Sequence, residues 1–454
     1  MADGLVLAID QGTSATKCLL VDAAGAVVRQ ASAPVPIRYP QPGWVEQDAV
    51  EILDSVLAAA ARCLDGVPRG AVRAVGLSTQ RESAVVWDRR TGLPAGPVLG
   101  WQDQRALGVC DGLRKDADRV RAISGLPLDP MFSAAKWRWL LDRTPSAAVG
   151  TVDSWLLFAL TGNHRIEVGN ASRTQLLDVR AGRWSSELLD LFGIPAAVLP
   201  AIIPSSGELG TIGERGGVLA GLPITAVLGD SHAALYAHGA GEGDVKATYG
   251  TGSSIMRLGE VAGDAVCLTV AWNDQLAAEG NIRSSGATVA WLAGFLGVTA
   301  ARIADMALSA ASDGVHLVPA FGGLAAPWWD DTAIGLISGL TLGTRPEQLA
   351  RAAVESIAHQ VADVVDVMGG AGRLLADGGA SENDQLMQIQ ADLTGRPVRR
   401  ARTAGLSALG AAFLAGGIAR PLDYDDFEPR PSDPAVRHAW RDAVARARTP
   451  AARS

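Results

Sequence analysis

A pattern that occurs twice constrains this chain most. Residues 5–10 (LVLAID) read as an apolar strand, Gly12-Thr13-Ser14 as a tight turn and residues 16–21 as a second strand. In the second half, residues 245–249 (VKATY), Gly250-Thr251-Gly252 and residues 253–258 repeat the order. A shared hairpin implies a chain duplicated at the scale of a domain. After the first hairpin, residues 22–25 suit a turn and 26–33 a third strand, so the opening is an antiparallel meander. Apolar residues then recur at helical spacing across 46–64 (Val50, Leu53, Val56, Leu57, Ala60, Ala61, Leu64), and 72–78 reads as a strand. Strand and helix alternate, which makes the class α/β.

Between the copies, residues 223–228 form an apolar strand ending in Gly229-Asp230, with a helix expected over 231–237. The stretch Gly239-Ala240-Gly241-Glu242-Gly243 marks a boundary, giving domains over 1–238 and 239–454. In the second domain a short strand at 374–376 runs into Asp377-Gly378-Gly379, and Ser381-Glu382-Asn383-Asp384 opens a helix. The Arg/Ala-rich helix after Pro434 is expected to be peripheral.

Charge and cysteine usage narrow the function classes. A net charge of −8 without a basic block disfavours a nucleic-acid partner. No apolar run approaches membrane-spanning length, and acidic Asp3 and Asp10 stand where a signal peptide is basic and then apolar, so a cytoplasmic protein without a membrane partner is expected. Cys18, Cys63, Cys110 and Cys267 lie far apart without C-x-x-C spacing, as reduced, packed thiols do. Of 40 basic residues only Lys17, Lys115, Lys136 and Lys246 are lysine, so a lysine here is unusual.

Three glycine turns follow strands: Gly12-Thr13-Ser14, Gly250-Thr251-Gly252-Ser253 and Gly378-Gly379. Each alone is a hairpin turn; related turns in two halves suit the gripping of one polyphosphate by converging N–H groups. Asp10 and Asp230 end strands beside them. Each reads as a helix cap or as one of the two carboxylates of phosphoryl transfer, one holding Mg²⁺ through water and the other taking a proton from the attacking hydroxyl. Gln80-Arg81-Glu82 and Gly100-Trp101-Gln102-Asp103-Gln104-Arg105 offer a donor fork, acceptors and an aromatic face, which polyols need and which a surface ion pair beside a core tryptophan also provides.

These residues lie within AIDQGTSATK, YPQPGWVEQD, STQRESAVVWD, LDPMFSAAKWRWLL, NASRTQLLDV, LGDSHAAL, TYGTGSS, LVPAFGGLAAPWW, DGGASENDQLMQIQADL and SALGAAFLAG. In this order the motifs resemble the FGGY carbohydrate kinases, and within that family most resemble its glycerol kinase branch. The resemblance implies two actin/hexokinase-like (ribonuclease H-like) domains with ATP in the cleft between them, and Mg²⁺. It implies Asp230 as catalytic base, Asp10 as the carboxylate on the Mg²⁺ side, and Asp230 as a second contact to that ion through water. Gly12, Thr13, Ser14, Lys17, Thr251, Gly252 and Gly286 are expected near the phosphates, and Gly378, Gly379 and Asn383 near the adenosine. Arg81, Glu82 and Trp101 match the polyol-binding positions. Met131 stands where that branch has tyrosine, Ser231 where it has glutamine, and Ser254 where it has phenylalanine, while Asp103 fits the W-x-D-x-R pattern of ketose kinases. The implied acceptor is a small polyol or ketose of about four to six carbons, because lost hydroxyl partners and an aromatic wall weaken the fit to glycerol. Glycerol kinase activity, making glycerol 3-phosphate, is the alternative. An ATP switch related to actin and the heat-shock chaperone ATPases is a remote one, and a homodimer or higher oligomer is the expected assembly.

Overall fold

The computed structural model describes residues 4–68, 70–145 and 147–448; Asp3, invoked above, lies outside them. In chain order the elements used below are β1 (Leu5–Gln11), β2 (Ala15–Val21), β3 (Val27–Pro34), α1 (Ala49–Cys63), β4 (Val72–Thr79), α2 (Ser133–Leu141), β5 (Ser206–Thr211), β6 (Pro223–Gly229) and α3 (Asp230–His238). They continue with β7 (Val245–Tyr249), β8 (Ser253–Leu258), β9 (Gln275–Ile282), α4 (Gly286–Leu296), α5 (Pro346–Met368), β10 (Leu374–Asp377), α6 (Asp384–Thr394), β11 (Val398–Ala401), α7 (Leu406–Gly416), β12 (Tyr424–Phe427) and α8 (Pro434–Arg448).

The chain divides into two units, the first being Met1–Gly239 with Leu268–Leu276 and Gly405–Pro421, and the second the remainder. In the first, the sheet runs β3-β2-β1-β4-β6-β5. Its β1, β2 and β3 are antiparallel, β1, β4 and β6 are parallel, and β5 returns antiparallel. The second unit's strands run β9-β8-β7-β10-β11-β12 with the same alternation of directions. The recurring hairpin of the sequence is thus the visible part of a recurring six-strand order.

The first unit reaches Gly239 and also takes in the later segments Leu268–Leu276 and Gly405–Pro421. Helix α7 lies against α3 and β4 so closely that a Cβ at Gly410 would stand 1.8 Å from the Ala233 carbonyl, and one at Gly76 2.3 Å from that of Ala411. A glycine on one side of each contact permits backbones this near. The first core joins Leu7, Ile9, Leu20, Ile52, Val56, Val75, Leu77 and Val227. The second joins Val245, Ala247, Tyr249, Leu292, Ile357, Val361, Leu374 and Met387.

Two local expectations need correction. Helix α1 begins at Ala49, not at 46, because the Asp48 carboxylate caps it by accepting from Val50 N at 2.7 Å and Glu51 N at 3.3 Å. Glu46 and Gln47 pair instead with Leu99 and Val98 as a short antiparallel ladder. Helix α8 is no appendage: Trp440 is buried, donates from Nε1 to Asp363 Oδ2 at 2.8 Å and stacks on His359 with ring centroids 4.8 Å apart. The four cysteines are free and buried. Among the described residues no single helix is long and apolar enough to cross a membrane.

Candidate active site

In the first unit the parallel strands β1, β4 and β6 end side by side, and in such sheets ligands gather beyond the carboxyl ends. Asp10 closes β1, opposite Ser78 of β4 in register, and Asp230 follows β6 as the first residue of α3. Ser78 Oγ donates to Asp10 Oδ1 at 2.9 Å. Burial pushes the Asp10 carboxyl up to about 6, with the negative charge of Asp230 adding to it; the Ser78 hydrogen bond and the Lys17 ammonium act the other way. The two carboxylates therefore feel each other, as two groups placed to share a cation do.

Asp230 remains reachable, with its side chain 39% exposed, and receives Ser231 N at 2.6 Å. Arg81 Nε stands 3.3 Å from Asp230 Oδ1, and Arg81 NH1 lies 3.3 Å from His232 Nε2. Glu82, next in the chain, sits in the left-handed region at φ 61°, a costly place for a residue with a Cβ. It is held there from two sides. Ser133 Oγ donates to its carbonyl at 3.0 Å, and the fully buried Arg173 donates from Nε to Oε1 at 2.6 Å.

The Gly12-Thr13-Ser14 turn is braced by glutamines. Gln80 Nε2 donates to Gln11 Oε1 at 3.1 Å and to Gln47 Oε1 at 3.0 Å, and Gln47 Nε2 donates to the Thr13 carbonyl at 2.8 Å. Trp101 Nε1 donates to Thr13 Oγ1 at 3.1 Å, so the candidate polyol-facing tryptophan and the candidate phosphate turn share a bond. Gly12 is half-buried, Ser14 and Lys17 are exposed, and Met131 and Ser231 are half-buried.

Asp103 is a correction. Its side chain is fully buried and its two oxygens are spent: Arg105 donates to it at 2.8 to 3.0 Å, and Val45 N reaches Oδ2 at 2.6 Å. Arg105 in turn reaches Glu46 at 2.7 Å and lies over the Trp44 ring at 3.7 Å. The W-x-D-x-R pattern here builds a buried clamp on the 44–46 strap, and Asp103 offers no oxygen to a substrate.

In the second unit, β7 and β8 pair through Tyr249 and Ser253 around the Gly250-Thr251-Gly252 turn, with Thr251 exposed. The start of α4 docks on that turn: Gly286 N donates to Gly250 O at 3.0 Å and Ala287 N to Thr251 O at 3.0 Å. The Gly286 amide is thus used inside the protein. A Cβ there would lie 2.7 Å from the Gly250 carbonyl, which is why the position is glycine. Gly378 and Gly379 are exposed after β10, and Gly378 takes φ 93°. Asn383 Oδ1 caps α6 by accepting from Leu386 N at 3.1 Å, which leaves its amide nitrogen as the group able to donate outward. Ser254 is half-buried and donates to the buried Glu279 at 3.4 Å. Arg173, His232 and Gln47 were not singled out from the sequence. All three lie inside quoted motifs without a role, since a bond across 91 residues, such as Arg173 to Glu82, leaves no local spacing to read.

Two units of one strand order, one with Asp10 and Asp230 at its parallel strand ends and the other with a Gly-Thr turn after its first strand, have the architecture of a two-domain carbohydrate kinase. The chain belongs to the FGGY family of carbohydrate kinases: residues 5–237 match the family's N-terminal domain and residues 245–418 its C-terminal domain. It is a carbohydrate kinase. It is 42% identical to apulose kinase of Pectobacterium atrosepticum over 98% of both chains, and 43% identical to glycerol kinase of Alkalilimnicola ehrlichii over 97% of this chain and 98% of the relative. Among solved structures it superposes on Plasmodium falciparum glycerol kinase with ADP (TM-score 0.90, 26% identity, 99% of each chain). A second match is xylulose kinase of Rhodospirillum rubrum (TM-score 0.87, 26% identity, 97% of this chain and 98% of that one).

Proposed function

We propose that the chain transfers the γ-phosphoryl group of ATP to a hydroxyl of a neutral polyol or ketose of about four to six carbons, a substrate larger than the pocket of a glycerol-selective relative would hold. The observation that carries this reading is the Arg81, Glu82 and Asp230 cluster at the ends of β4 and β6, next to Asp10. Arg81 supplies donors and Glu82 an acceptor for vicinal hydroxyls, and Trp101 an apolar face for C–H groups. Asp230 takes the proton of the attacking hydroxyl as the new O–P bond forms and the bond to the β,γ-bridging oxygen breaks, releasing ADP.

In this reading the Gly12-Thr13-Ser14 turn and Lys17 of the first unit are assigned to phosphate, and in the second unit the Thr251-Gly252 turn is assigned to phosphate and Gly378, Gly379 and Asn383 to the nucleoside. Mg²⁺ fits the residues present. Asp10 and Asp230 repel each other, a strain a divalent ion relieves, and among the described residues no cage of three or more His, Cys, Asp or Glu exists, so the ion needs phosphate and water oxygens as well. When bound, it neutralises phosphate charge.

The relatives named glycerol kinase favour glycerol as the second reading. A coupled ADP-release assay over glycerol, erythritol, ribitol, D-ribulose, D-xylulose and apulose separates the two. The expected result is a kcat/KM maximum at a sugar or polyol longer than glycerol, and a maximum at glycerol establishes the second reading.

A further inference from the structure

The lysine scarcity noted in the sequence acquires a meaning at Lys136. The residue lies in the first turn of α2, where the helix dipole favours anions and a cation is out of place, and its side chain is fully buried. A buried ammonium persists only when it is partnered. Lys136 Nζ donates to the carbonyl of Met131, and the charges facing it are Glu82 at the end of β4, Asp103 in the Trp101–Arg105 loop and Asp129 in the loop before α2. The Cys110 thiol also faces it; burial holds that group, at about 12, in its neutral form.

The loop it grips precedes α2, and its Phe132 ring is fully buried. Met131 N donates to Asp129 Oδ1 at 2.7 Å and Phe132 N to Asp129 O at 3.3 Å, both internal to the loop. The tie of the Met131 carbonyl to the helix is Lys136. On the other side, Glu82 Oε1 accepts from Arg173 Nε at 2.6 Å and lies 3.9 Å from Arg81 Nε. Arginine carries nearly all the positive charge elsewhere in this chain, but its planar fork is bulkier than a single ammonium donor and asks for several acceptors at once.

We propose that Lys136 is a specificity-determining positioning residue of the sugar site: its ammonium fixes the Asp129–Phe132 loop through the Met131 carbonyl and adds a positive charge near Glu82 to those of Arg173 and Arg81. The inference rests on the reading that Glu82 and Met131 line that site. Lys136 touches no reacting atom, so it governs acceptor binding and leaves nucleotide binding alone. Burial lowers its ammonium to about 8, overriding the attraction of the surrounding acids, so the charge is present at neutral pH and lost above about 8.

The test compares wild type, Lys136→Met, Lys136→Arg and Glu82→Gln with glycerol and D-xylulose as acceptors, each followed from pH 6.5 to 9.5. Lys136→Met should raise the acceptor KM at least about tenfold with the ATP KM within about twofold. The wild type should lose kcat/KM for the acceptor as pH passes about 8. Lys136→Arg, charged throughout, should lack that fall and keeps the test open if Lys136→Met does not fold. An acceptor KM unchanged in Lys136→Met or Lys136→Arg, with the alkaline fall intact, overturns the inference while Glu82→Gln still raises KM. If Glu82→Gln is without effect, or wild type turns over neither acceptor, the site reading itself fails.

Discussion

Arg81 Nε stands 3.3 Å from Asp230 Oδ1, joining a residue two positions beyond β4 to the residue that begins α3. The contact places a guanidinium beside a carboxylate whose side chain is 39% exposed, which orients the group proposed as the base. Asp230→Asn keeps the size and can still receive Ser231 N, but it cannot take a proton. The expected result is a kcat at least about 10²-fold lower with the ATP KM nearly unchanged. Near wild-type turnover in this variant removes Asp230 from the role of base.

Asp10 carries a stability cost near neutral pH. Its carboxyl is raised from 3.8 to about 6, so the native state binds the proton more tightly than the unfolded chain does. The stabilising contribution of the protonated form is full below about 4 and is lost as pH rises through about 6. Asp10→Asn should therefore be more stable than wild type near neutral pH, by up to about 3 kcal/mol, with the difference vanishing in acid, while losing turnover. Urea titrations at both pH values measure this, and a less stable Asp10→Asn near neutral pH contradicts the assignment.

Much of this arrangement was legible because it is local. The Gly-Thr turns, the strand-end aspartates and the adjacent Arg81-Glu82 pair declare themselves by neighbours in sequence. What could not be read are the long-range partners. Asp103 looked available for a sugar because the same short pattern describes a substrate ligand and a buried clamp, and only its full burial under Arg105 and Val45 tells them apart. Helix α8 looked peripheral from its arginines, although Trp440, Ala443, Val444 and Ala447 already trace an apolar stripe. Gly286 marked a phosphate contact by resemblance, whereas its geometry first satisfies the approach of α4 to the Gly250 carbonyl.

The buried clamp makes its own prediction. Removing Asp103 leaves the Arg105 guanidinium, also almost fully buried, without its bidentate partner. Asp103→Ala should cost about 3–5 kcal/mol of unfolding free energy, the usual penalty for breaking a buried ion pair from one side. Acceptor KM should change much less than in Glu82→Gln. Unaltered stability together with a large rise in acceptor KM would return Asp103 to the sugar site.

At the other end of the chain, Trp440 fills a core formed with Val318, Ala320, Leu324 and Ala333 and gives its indole N–H to Asp363. Trp440→Ala should destabilise the protein by about 3–5 kcal/mol, through the cavity left and the lost hydrogen bond. Trp440→Phe, which keeps most of the apolar volume, should recover the larger part of that loss. Equal denaturant midpoints for wild type and Trp440→Ala would show that α8 contributes no packing energy.

Acceptor size is set by Met131 and Ser231 if the proposed function holds. Met131 has no hydroxyl to offer a substrate oxygen, and Ser231, whose amide is already bonded to Asp230, reaches less far than glutamine. An unpartnered buried hydroxyl costs about 1–3 kcal/mol, so two such losses separate glycerol from longer acceptors by roughly 10²-fold. Met131→Tyr combined with Ser231→Gln should restore both partners and fill the volume that extra carbons occupy. The expected outcome is a rise in kcat/KM for glycerol of at least about tenfold and a matching fall for D-xylulose or D-ribulose. Because Met131 is held through its carbonyl and Ser231 through its amide, neither substitution disturbs the backbone contacts that place them. A double variant whose preference does not move would show that the length of the acceptor is read by other residues.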